Sequence, residues 1–345
     1  MDSLTQAALG GAVGYAVLGN KVGRKAAVWG AILGTLPDLD VFLPYGGDVE
    51  AFTYHRGFSH SLLVHLLISP LIVWLAQYIH KDTSQFKNRW FWLVFLCLST
   101  HAILDSFTVY GTQLLWPITE HPFAISNMFI IDPLVTIPLL VGVVMVLLPH
   151  TQQTTKARAN ALGLFVSSVY MGWSLIGKLV VDNTVQSALA KQNIQPQHYI
   201  STPAPFTTLL WRIVVVAENE YYEIYTSVLD SPDDVSIDAY PTAPELLIPV
   251  QSEWGIQRLQ WFTKGLYSIR LRDDDIILSD LRMGVECAYV FNFKVAKKTK
   301  SGIEAGSFEK FSERPKLSGV RDIWQRIWDP SISLAPHTDQ HPTCE

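Results

Sequence analysis

The sequence predicts an α-helical polytopic membrane bundle of about six spans, followed by a small extracytoplasmic β-rich (α+β) domain. The first observation behind this prediction is an uneven distribution of charge along the 345 residues. Residues 1–181 hold only 10 of the 26 Lys and Arg residues and 9 of the 31 Asp and Glu residues. The second observation is a series of six apolar runs in that half, and the third is an alternating, strand-like pattern in the other half.

The six apolar runs define the predicted membrane helices, because a spanning helix needs about 20 mostly apolar residues. The runs are residues 4–19, 26–43, 61–79, 90–107, 130–148 and 159–181. The first run contains Gly10, Gly11 and Gly14, and small residues let helices approach closely within a bilayer. The second run contains Asp38 and Asp40, so only its first part is fully apolar.

The basic residues of the loops predict the orientation of this bundle. With six spans, the loops on one side carry eight Lys and Arg residues, whereas those on the other side carry only Arg56. Cytoplasmic loops are enriched in Lys and Arg, so we expect the N-terminus and the C-terminal half to lie outside the cytoplasm. We expect the helical bundle itself to lie in a bacterial inner membrane. A re-entrant pair in place of the first two spans gives the same orientation, but it would bury Lys21, Arg24 and Lys25.

The remaining sequence has the composition of a soluble domain. After a transmembrane domain at 1–181, we predict a linker at 182–206, an extracytoplasmic β-rich domain at 207–296 and a polar tail at 297–345. The predicted strands are 207–217, 221–229, 265–271, 275–281 and 288–295, with helices at 251–262 and 321–328. A net charge of −5 and the absence of a Lys/Arg stripe exclude a nucleic-acid-binding protein.

Polar and ionisable residues gather where the predicted spans begin or end on the outer side. Such residues are costly in a membrane and usually have a function. The groups are Asp38 and Asp40 at the end of the second run, His55, Arg56 and His60 before the third, and His101 and Asp105 near the end of the fourth. Their placement at one rim of the bundle predicts a single site.

The residue types in these groups suit a metal ion. His101 and Asp105 are four residues apart, so both lie on one face of a helix and can bind the same ion. Imidazole and carboxylate ligands without thiolate suit zinc, manganese or iron, and several carboxylates allow a two-metal site.

Each group also has a structural interpretation. Asp38 and Asp40 could cap a helix end, and His101 with Asp105 could hold two helices together or relay protons. Arg56 could bind a phosphate group, or it could pair with an acidic residue of its own loop, Asp48 or Glu50. The residue types alone leave these alternatives open.

The ordered combination of motifs resembles the YdjM-like family of membrane-bound metal-dependent hydrolases. The matching segments are 1–6 (MDSLTQ), 36–40 (LPDLD), 55–61 (HRGFSHS), 101–105 (HAILD), 110–117 (YGTQLLWP) and 131–133 (IDP). The resemblance covers most of residues 1–181. It implies metal ligands among Asp38, Asp40, His55, His60, His101 and Asp105. Members often carry a histidine where this chain has Gln6, which puts one coordination position in doubt.

Taken together, these features predict a hydrolase with an outward-facing site at the bilayer rim. We expect one or two divalent ions, with zinc favoured and manganese or iron as alternatives. The expected partners are membrane lipids and a small or lipid-linked substrate. A phosphoester is one example of such a substrate. We expect Asp40 to act as a general base and Arg56 to steady the anionic substrate.

Two other hypotheses belong to different classes of protein. A non-catalytic membrane scaffold, whose outer domain binds a partner, would leave the six proposed ligands far apart. A proton- or ion-coupled transporter would use His101 and Asp105 for the coupling, and such sites usually lie near mid-membrane between internal repeats.

Overall fold

The computed structural model describes residues 1–313 and 320–335, which form two compact units. One unit comprises Met1–Pro44 and Tyr54–Leu175, and the other comprises Tyr45–Thr53 and Ile176–Glu345. The first unit is helical and the second is rich in β-sheet. The predicted order of a helical N-terminal half and a β-rich C-terminal domain is therefore confirmed.

Local sequence fixes where several of the helices begin. In chain order the helices are α1 (Ser3–Val22), α2 (Arg24–Thr35), α3 (Asp48–Tyr54), α4 (Leu62–Ile79), α5 (Lys87–Ser106), α6 (Pro133–Leu147), α7 (Gln153–Lys191), α8 (Trp254–Phe262) and α9 (Val320–Arg326). The side chains of Asp2, Ser61 and Asp132 accept hydrogen bonds from backbone N–H groups in the first turns of α1, α4 and α6. These caps satisfy donors that a helix start otherwise leaves unpaired.

Among the described residues, two helices are long and apolar enough to cross a membrane. They are α4, with 18 residues and a mean hydropathy of 2.0, and α7, with 39 residues. The most apolar 18-residue stretch of α7 has a mean hydropathy of 1.6. The apolar helix α6 is shorter, with 15 residues. The predicted count of six spans is therefore not confirmed.

The second predicted span, residues 26–43, is not a single helix. α2 ends at Thr35 after 12 residues, and Pro37 opens a 3₁₀ helix that runs over Pro37–Phe42. Pro37 has no backbone N–H to donate to the carbonyl of Leu33, so the α-helical hydrogen-bond ladder stops here. Twelve residues rise only about 18 Å, which is less than the roughly 30 Å of a hydrocarbon core.

Glycines hold α1 and α2 in close contact. A Cβ atom added to Gly10 would lie 2.1 Å from the carbonyl oxygen of Gly30, and one added to Gly34 would lie 2.4 Å from the carbonyl oxygen of Gln6. The two backbones therefore touch along this face, as expected for small residues between membrane helices. This contact brings Gln6 and the C-terminal end of α2 together.

The second unit contains two main antiparallel sheets. One has the order β1-β2-β3-β4, and the other has the order β10-β9-β6-β5 with β11 also paired to β9. The strands are β1 (His198–Pro203), β2 (Leu210–Val216), β3 (Glu220–Ser227), β4 (Ser236–Pro241), β5 (Tyr267–Arg272), β6 (Asp275–Asp280), β7 (Gly284–Val285), β8 (Ala288–Tyr289), β9 (Asn292–Thr299), β10 (Gly302–Ala305) and β11 (Lys310–Phe311). Each predicted strand, and the helix predicted at 251–262, overlaps an observed one.

A short segment of the N-terminal half belongs to the second unit. Residues 45–53 fall within the predicted domain 1–181, yet they group with the β-rich unit. The reason is Phe52 of α3, which is buried. Its ring centroid lies 4.9 Å from that of Phe262, 4.7 Å from that of Phe291 and 5.2 Å from that of Phe293.

The boundaries predicted for the linker and the tail differ from the observed elements. Residues 182–206 hold the end of α7 and strand β1, because Val185 and Leu189 are buried in a cluster with Trp211 and Ile213. Residues 297–313 contain the end of β9 together with β10 and β11, and the helix predicted at 321–328 corresponds to α9. The predicted tail segments 314–319 and 336–345 lie outside the described residues.

We expect Gly30→Ala to destabilise the helical unit. Its new methyl group would meet the backbone of Gly10, which cannot move aside as a flexible side chain would. Such overpacking lowers the free energy of unfolding by about 1–3 kcal/mol, measurable as a lower midpoint of thermal unfolding in detergent. Gly172→Ala in α7 is the matched control, since nothing lies within 4 Å of its added Cβ. Equal stability of the two variants would contradict the close packing of α1 and α2.

Candidate metal centre

Four of the six predicted ligands converge in the helical unit. The residues are Asp38, His60, His101 and Asp105, and one donor atom from each lies within 4.8 Å of the other three donors. Asp38 is partly exposed, whereas the other three side chains are fully buried. This proximity differs from the wide separation that the scaffold hypothesis predicted.

The donor atoms are spaced as the ligands of one ion would be. The Nε2 atoms of His60 and His101 are 3.1 Å apart. The Oδ2 atom of Asp105 lies 3.2 Å and 3.6 Å from these two nitrogens, and the Oδ1 atom of Asp38 lies 3.6 Å and 3.4 Å from them. Around an ion bound tetrahedrally at about 2.0–2.1 Å, neighbouring donors are roughly 3.3 Å apart. The cluster therefore fits a zinc-sized ion with little rearrangement.

The four residues come from three places in the chain: the segment after α2, the segment before α4 and the last part of α5. Asp38 lies in the 3₁₀ helix that follows the end of α2, and His60 ends a 3₁₀ helix over Phe58–His60, just before α4. His101 and Asp105 lie one turn apart on the last part of α5. The predicted meeting of these segments at one end of the bundle is therefore observed.

Hydrogen bonds on the far side of each imidazole ring determine which nitrogen faces the cluster. The Nδ1 atom of His101 lies 2.6 Å from the carbonyl oxygen of Gly34, which can only accept, so Nδ1 carries the proton. The Nδ1 atom of His60 lies 2.9 Å from the hydroxyl oxygen of Ser59, whose own proton goes to the Oδ2 atom of Asp40 at 2.5 Å. Both Nε2 atoms then present lone pairs to each other. For two neutral rings this contact is repulsive, and a cation bound between the two Nε2 atoms would remove the repulsion.

The carboxylate of Asp105 completes this argument. Its Oδ1 atom accepts hydrogen bonds from the amide of Gln6 at 2.9 Å and from the amino group of Met1. Its Oδ2 atom, which faces the two imidazoles, accepts no hydrogen bond within the described part of the chain, although Arg56 forms an ion pair with it at 3.0 Å. A buried carboxylate oxygen without a donor is costly, and a bound cation would satisfy it.

The other two predicted ligands, Asp40 and His55, bind each other beside the cluster. The Nδ1 atom of His55 lies 2.8 Å from the Oδ1 atom of Asp40. The Oδ2 atom of Asp40 accepts hydrogen bonds from Ser59 and from the backbone N–H of Arg56. Asp40 is buried, and the side chain of His55 is 22% exposed. The pair thus has one fixed, buried carboxylate and one imidazole that solvent can reach.

Arg56 forms its ion pair with Asp105 of the cluster. The sequence had suggested Asp48 or Glu50 of the same loop as its partner. Its guanidinium also donates a hydrogen bond to Thr108 at 3.2 Å and lies over the ring of Tyr110. The backbone of Arg56 has a φ of 61°, which is unusual for a residue with a side chain. Strained backbone of this kind persists where the surroundings hold it, often at functional sites.

Three further residues position the predicted site residues, and two of them, Ser59 and Thr108, were not singled out from the sequence. Ser59 connects His60 to Asp40, Thr108 contacts Arg56, and Gln6 contacts Asp105. Ser59 could have been found from its place between two histidines, whereas Gln6 was already noted as a possible coordination position. Thr108 gave no signal, because threonine is common after a helix end.

We expect His101→Ala to abolish metal binding, because it removes one of the four donors. Zinc measured by mass spectrometry in the purified chain should fall from about one ion per chain to near zero. The matched control is His150→Ala, which changes an exposed histidine outside the cluster and should retain the ion. Unchanged zinc content in His101→Ala would reject the ligand assignment.

We expect Ser59→Ala to weaken metal binding without abolishing it. The substitution breaks the connection from His60 to Asp40 and frees the imidazole to rotate. Loss of such an outer contact typically lowers metal affinity about 10–100-fold, which a competition titration with a zinc chelator can measure. Ser59→Thr keeps the hydroxyl and should restore most of the affinity. Equal affinities for the alanine variant and the original chain would show that Ser59 does not orient His60.

Comparison with known proteins identifies relatives for the helical half. The chain is 30% identical over 150 residues to the uncharacterized protein YfhP of Bacillus subtilis (strain 168), an alignment that covers 41% of this chain and 45% of YfhP. It is 30% identical over 132 residues to the inner membrane protein YbcI of Escherichia coli (strain K12), covering 35% of this chain and 69% of YbcI. The chain therefore spans less than half the length of YfhP.

No solved structure matches the chain. A family model described as YdjM inner membrane protein matches residues 1–181, which include every residue of the cluster. This match covers more than half of the chain and confirms the resemblance drawn from the motifs. The chain belongs to the YdjM inner membrane protein family and is a protein of the bacterial inner membrane.

Proposed function

We propose that this protein is a membrane-bound metal-dependent hydrolase that acts on a phosphoester or lipid-linked substrate at the outer rim of the bilayer. The observation that carries the proposal is the cluster of Asp38, His60, His101 and Asp105, whose donor atoms are spaced for one divalent ion. A partly exposed imidazole and a cationic side chain lie beside it. These are the parts that metal-assisted hydrolysis needs.

Zinc is the ion that the donor set favours, since two imidazoles and two carboxylates suit it in tetrahedral geometry. A divalent ion held there would lower the pKa of a bound water to about 7 and polarise the bond to be cleaved. A catalytic site must leave a position open to water or substrate. Asp38 would open that position by leaving the ion, because its carboxylate is 23% exposed while the other three side chains are buried.

The pair of Asp40 and His55 is suited to move a proton. Asp40 holds the Nδ1 atom of His55, which fixes the orientation of the ring and turns its Nε2 atom away from Asp40. Asp40 itself is buried and already accepts three hydrogen bonds. We therefore propose that the pair acts as the general base, with His55 as the member that meets the proton.

Arg56 has two roles in this proposal. Its ion pair balances the charge of Asp105, so the buried carboxylate can stay ionised. As the only Lys or Arg residue in the loops predicted to lie outside, it also supplies the positive charge that an anionic substrate needs on that side.

We propose that both the N-terminus and the β-rich unit lie outside the cytoplasm, whether the short helix α2 crosses the bilayer or forms a re-entrant pair with α1. The eight-to-one distribution of basic residues supports this orientation. So does the position of Tyr45–Thr53, which belongs to the same unit as the chain from Ile176 onward. Because both segments are parts of one compact unit, they must lie on the same side of the membrane.

We expect His55→Ala to separate catalysis from metal binding. The variant should retain zinc, because His55 is not one of the four donors, whereas hydrolysis of 4-nitrophenyl phosphate, bis(4-nitrophenyl) phosphate or phosphatidic acid in nanodiscs should fall about 10²–10⁴-fold. His150→Ala again serves as the control and should keep full activity. A zinc-loaded original chain that cleaves none of these phosphoesters would contradict the proposed phosphoester substrate. Full activity in His55→Ala would remove His55 from the mechanism.

A further inference from the structure

An apolar groove follows α4 from the metal centre toward the other end of the helix. It has a volume of about 510 Å³ and is lined almost entirely by apolar side chains. Its walls include Leu36, Val64, Ile68, Leu71, Trp74 and Leu98. A volume of this size is in the range of ligand sites in proteins.

One end of the groove reaches the cluster. Pro37 and Ser59 line it, and each is the direct chain neighbour of a proposed ligand, Asp38 or His60. The hydroxyl of Ser59 also contacts the imidazole of His60 at 2.9 Å. A molecule that lies in the groove therefore has one end next to the proposed ion.

The length of the groove matches one leaflet of a membrane. Along α4 its lining extends from Val64 to Leu75, which corresponds to about 16 Å of helix. A hydrocarbon core is about 30 Å thick, so the groove covers roughly half of it. Since the cluster lies at the start of α4, the groove leads from the membrane surface to the middle of the bilayer if α4 spans it.

The groove is open along its side. The side chains of Leu71 and Trp74 are 60% and 65% exposed in the described part of the chain. Both belong to α4, which is long and apolar enough to cross a membrane. In a bilayer this surface would contact lipid chains. At the cluster end, the proposed ion and Arg56 supply positive charge, which complements an anionic headgroup.

We propose that this groove binds the hydrocarbon tail of an anionic membrane lipid whose phosphate-bearing headgroup lies at the metal centre. The assignment of the headgroup rests on the proposed function, whereas the assignment of the tail rests on the groove. The inference makes the substrate class specific. It is a phospholipid or other lipid phosphate of the outer leaflet, and not a water-soluble phosphoester.

The test is photo-crosslinking in nanodiscs with phosphatidic acid that carries a diazirine in its acyl chain. We expect the label to enter α4 at the groove several-fold more than the exposed apolar positions Leu162 and Phe165 of α7. Excess unlabelled phosphatidic acid should remove the excess labelling, whereas phosphatidylcholine should not. Equal labelling of α4 and α7, or equal competition by both lipids, would overturn the proposal.

A groove-filling variant tests the same site without any turnover. Ile68→Trp should lower the labelling of the groove several-fold and leave the zinc content unchanged, since Ile68 is partly exposed and is not a ligand. Leu162→Trp on α7 is the matched control and should change neither. If Ile68→Cys instead crosslinks efficiently to a second copy of the chain, the groove is a helix interface and the proposal fails.

These experiments distinguish the failure of the tail site from the failure of the enzyme. Selective labelling of the groove without hydrolysis of any phosphoester would support the lipid site and contradict the proposed function. Hydrolysis of 4-nitrophenyl phosphate without selective labelling would do the opposite.

Discussion

The candidate site of the helical unit is built around two imidazole nitrogens that face each other in its interior. The Nε2 atoms of His60 and His101 are 3.1 Å apart, and the contacts of both Nδ1 atoms to Ser59 and Gly34 leave Nε2 as the acceptor in each neutral ring. Two neutral acceptors at this distance repel, and the buried Asp105 carboxylate beside them adds negative charge. A cation held at this point would turn these placements into ligands, which is why the cluster is a candidate metal centre.

The surrounding elements hold this arrangement through groups that do not bind the ion. Glycine contacts bring α1 close to α2, and Gln6 at the start of α1 then reaches Asp105. The hydroxyl of Ser59 donates a hydrogen bond to Asp40 and contacts the Nδ1 atom of His60, so it links the two side chains. Since His101 and Asp105 are held by hydrogen bonds to α2 and α1, and His60 contacts the neighbouring Ser59, the fold itself orients three of the four proposed ligands.

The sequence predicted the composition of the cluster better than its division of roles. Periodicity placed His101 and Asp105 on one helix face, and alternation of apolar runs placed all the polar groups at one rim. Nothing local distinguished Asp38, which faces the ion site, from Asp40, which faces His55, because a 3₁₀ helix sets their directions. The separation of residues 45–53 from the helical half was equally hidden, since it depends on aromatic contacts of Phe52 that are distant in sequence.

Gln6 bears on the number of ions. A histidine at this position could add a ligand, whereas the amide of Gln6 donates to Asp105 at 2.9 Å and acts on a proposed ligand without being one. Asp40 and His55, the remaining candidates for a second ion, satisfy each other. The four donors of the cluster would then form a full set of ligands for one tetrahedral ion. Asp38 would be the ligand whose replacement by substrate costs least, because it alone of the four is reached by solvent. A single ion with one exchangeable carboxylate is therefore the arrangement that this chain's own residues favour over a two-metal site.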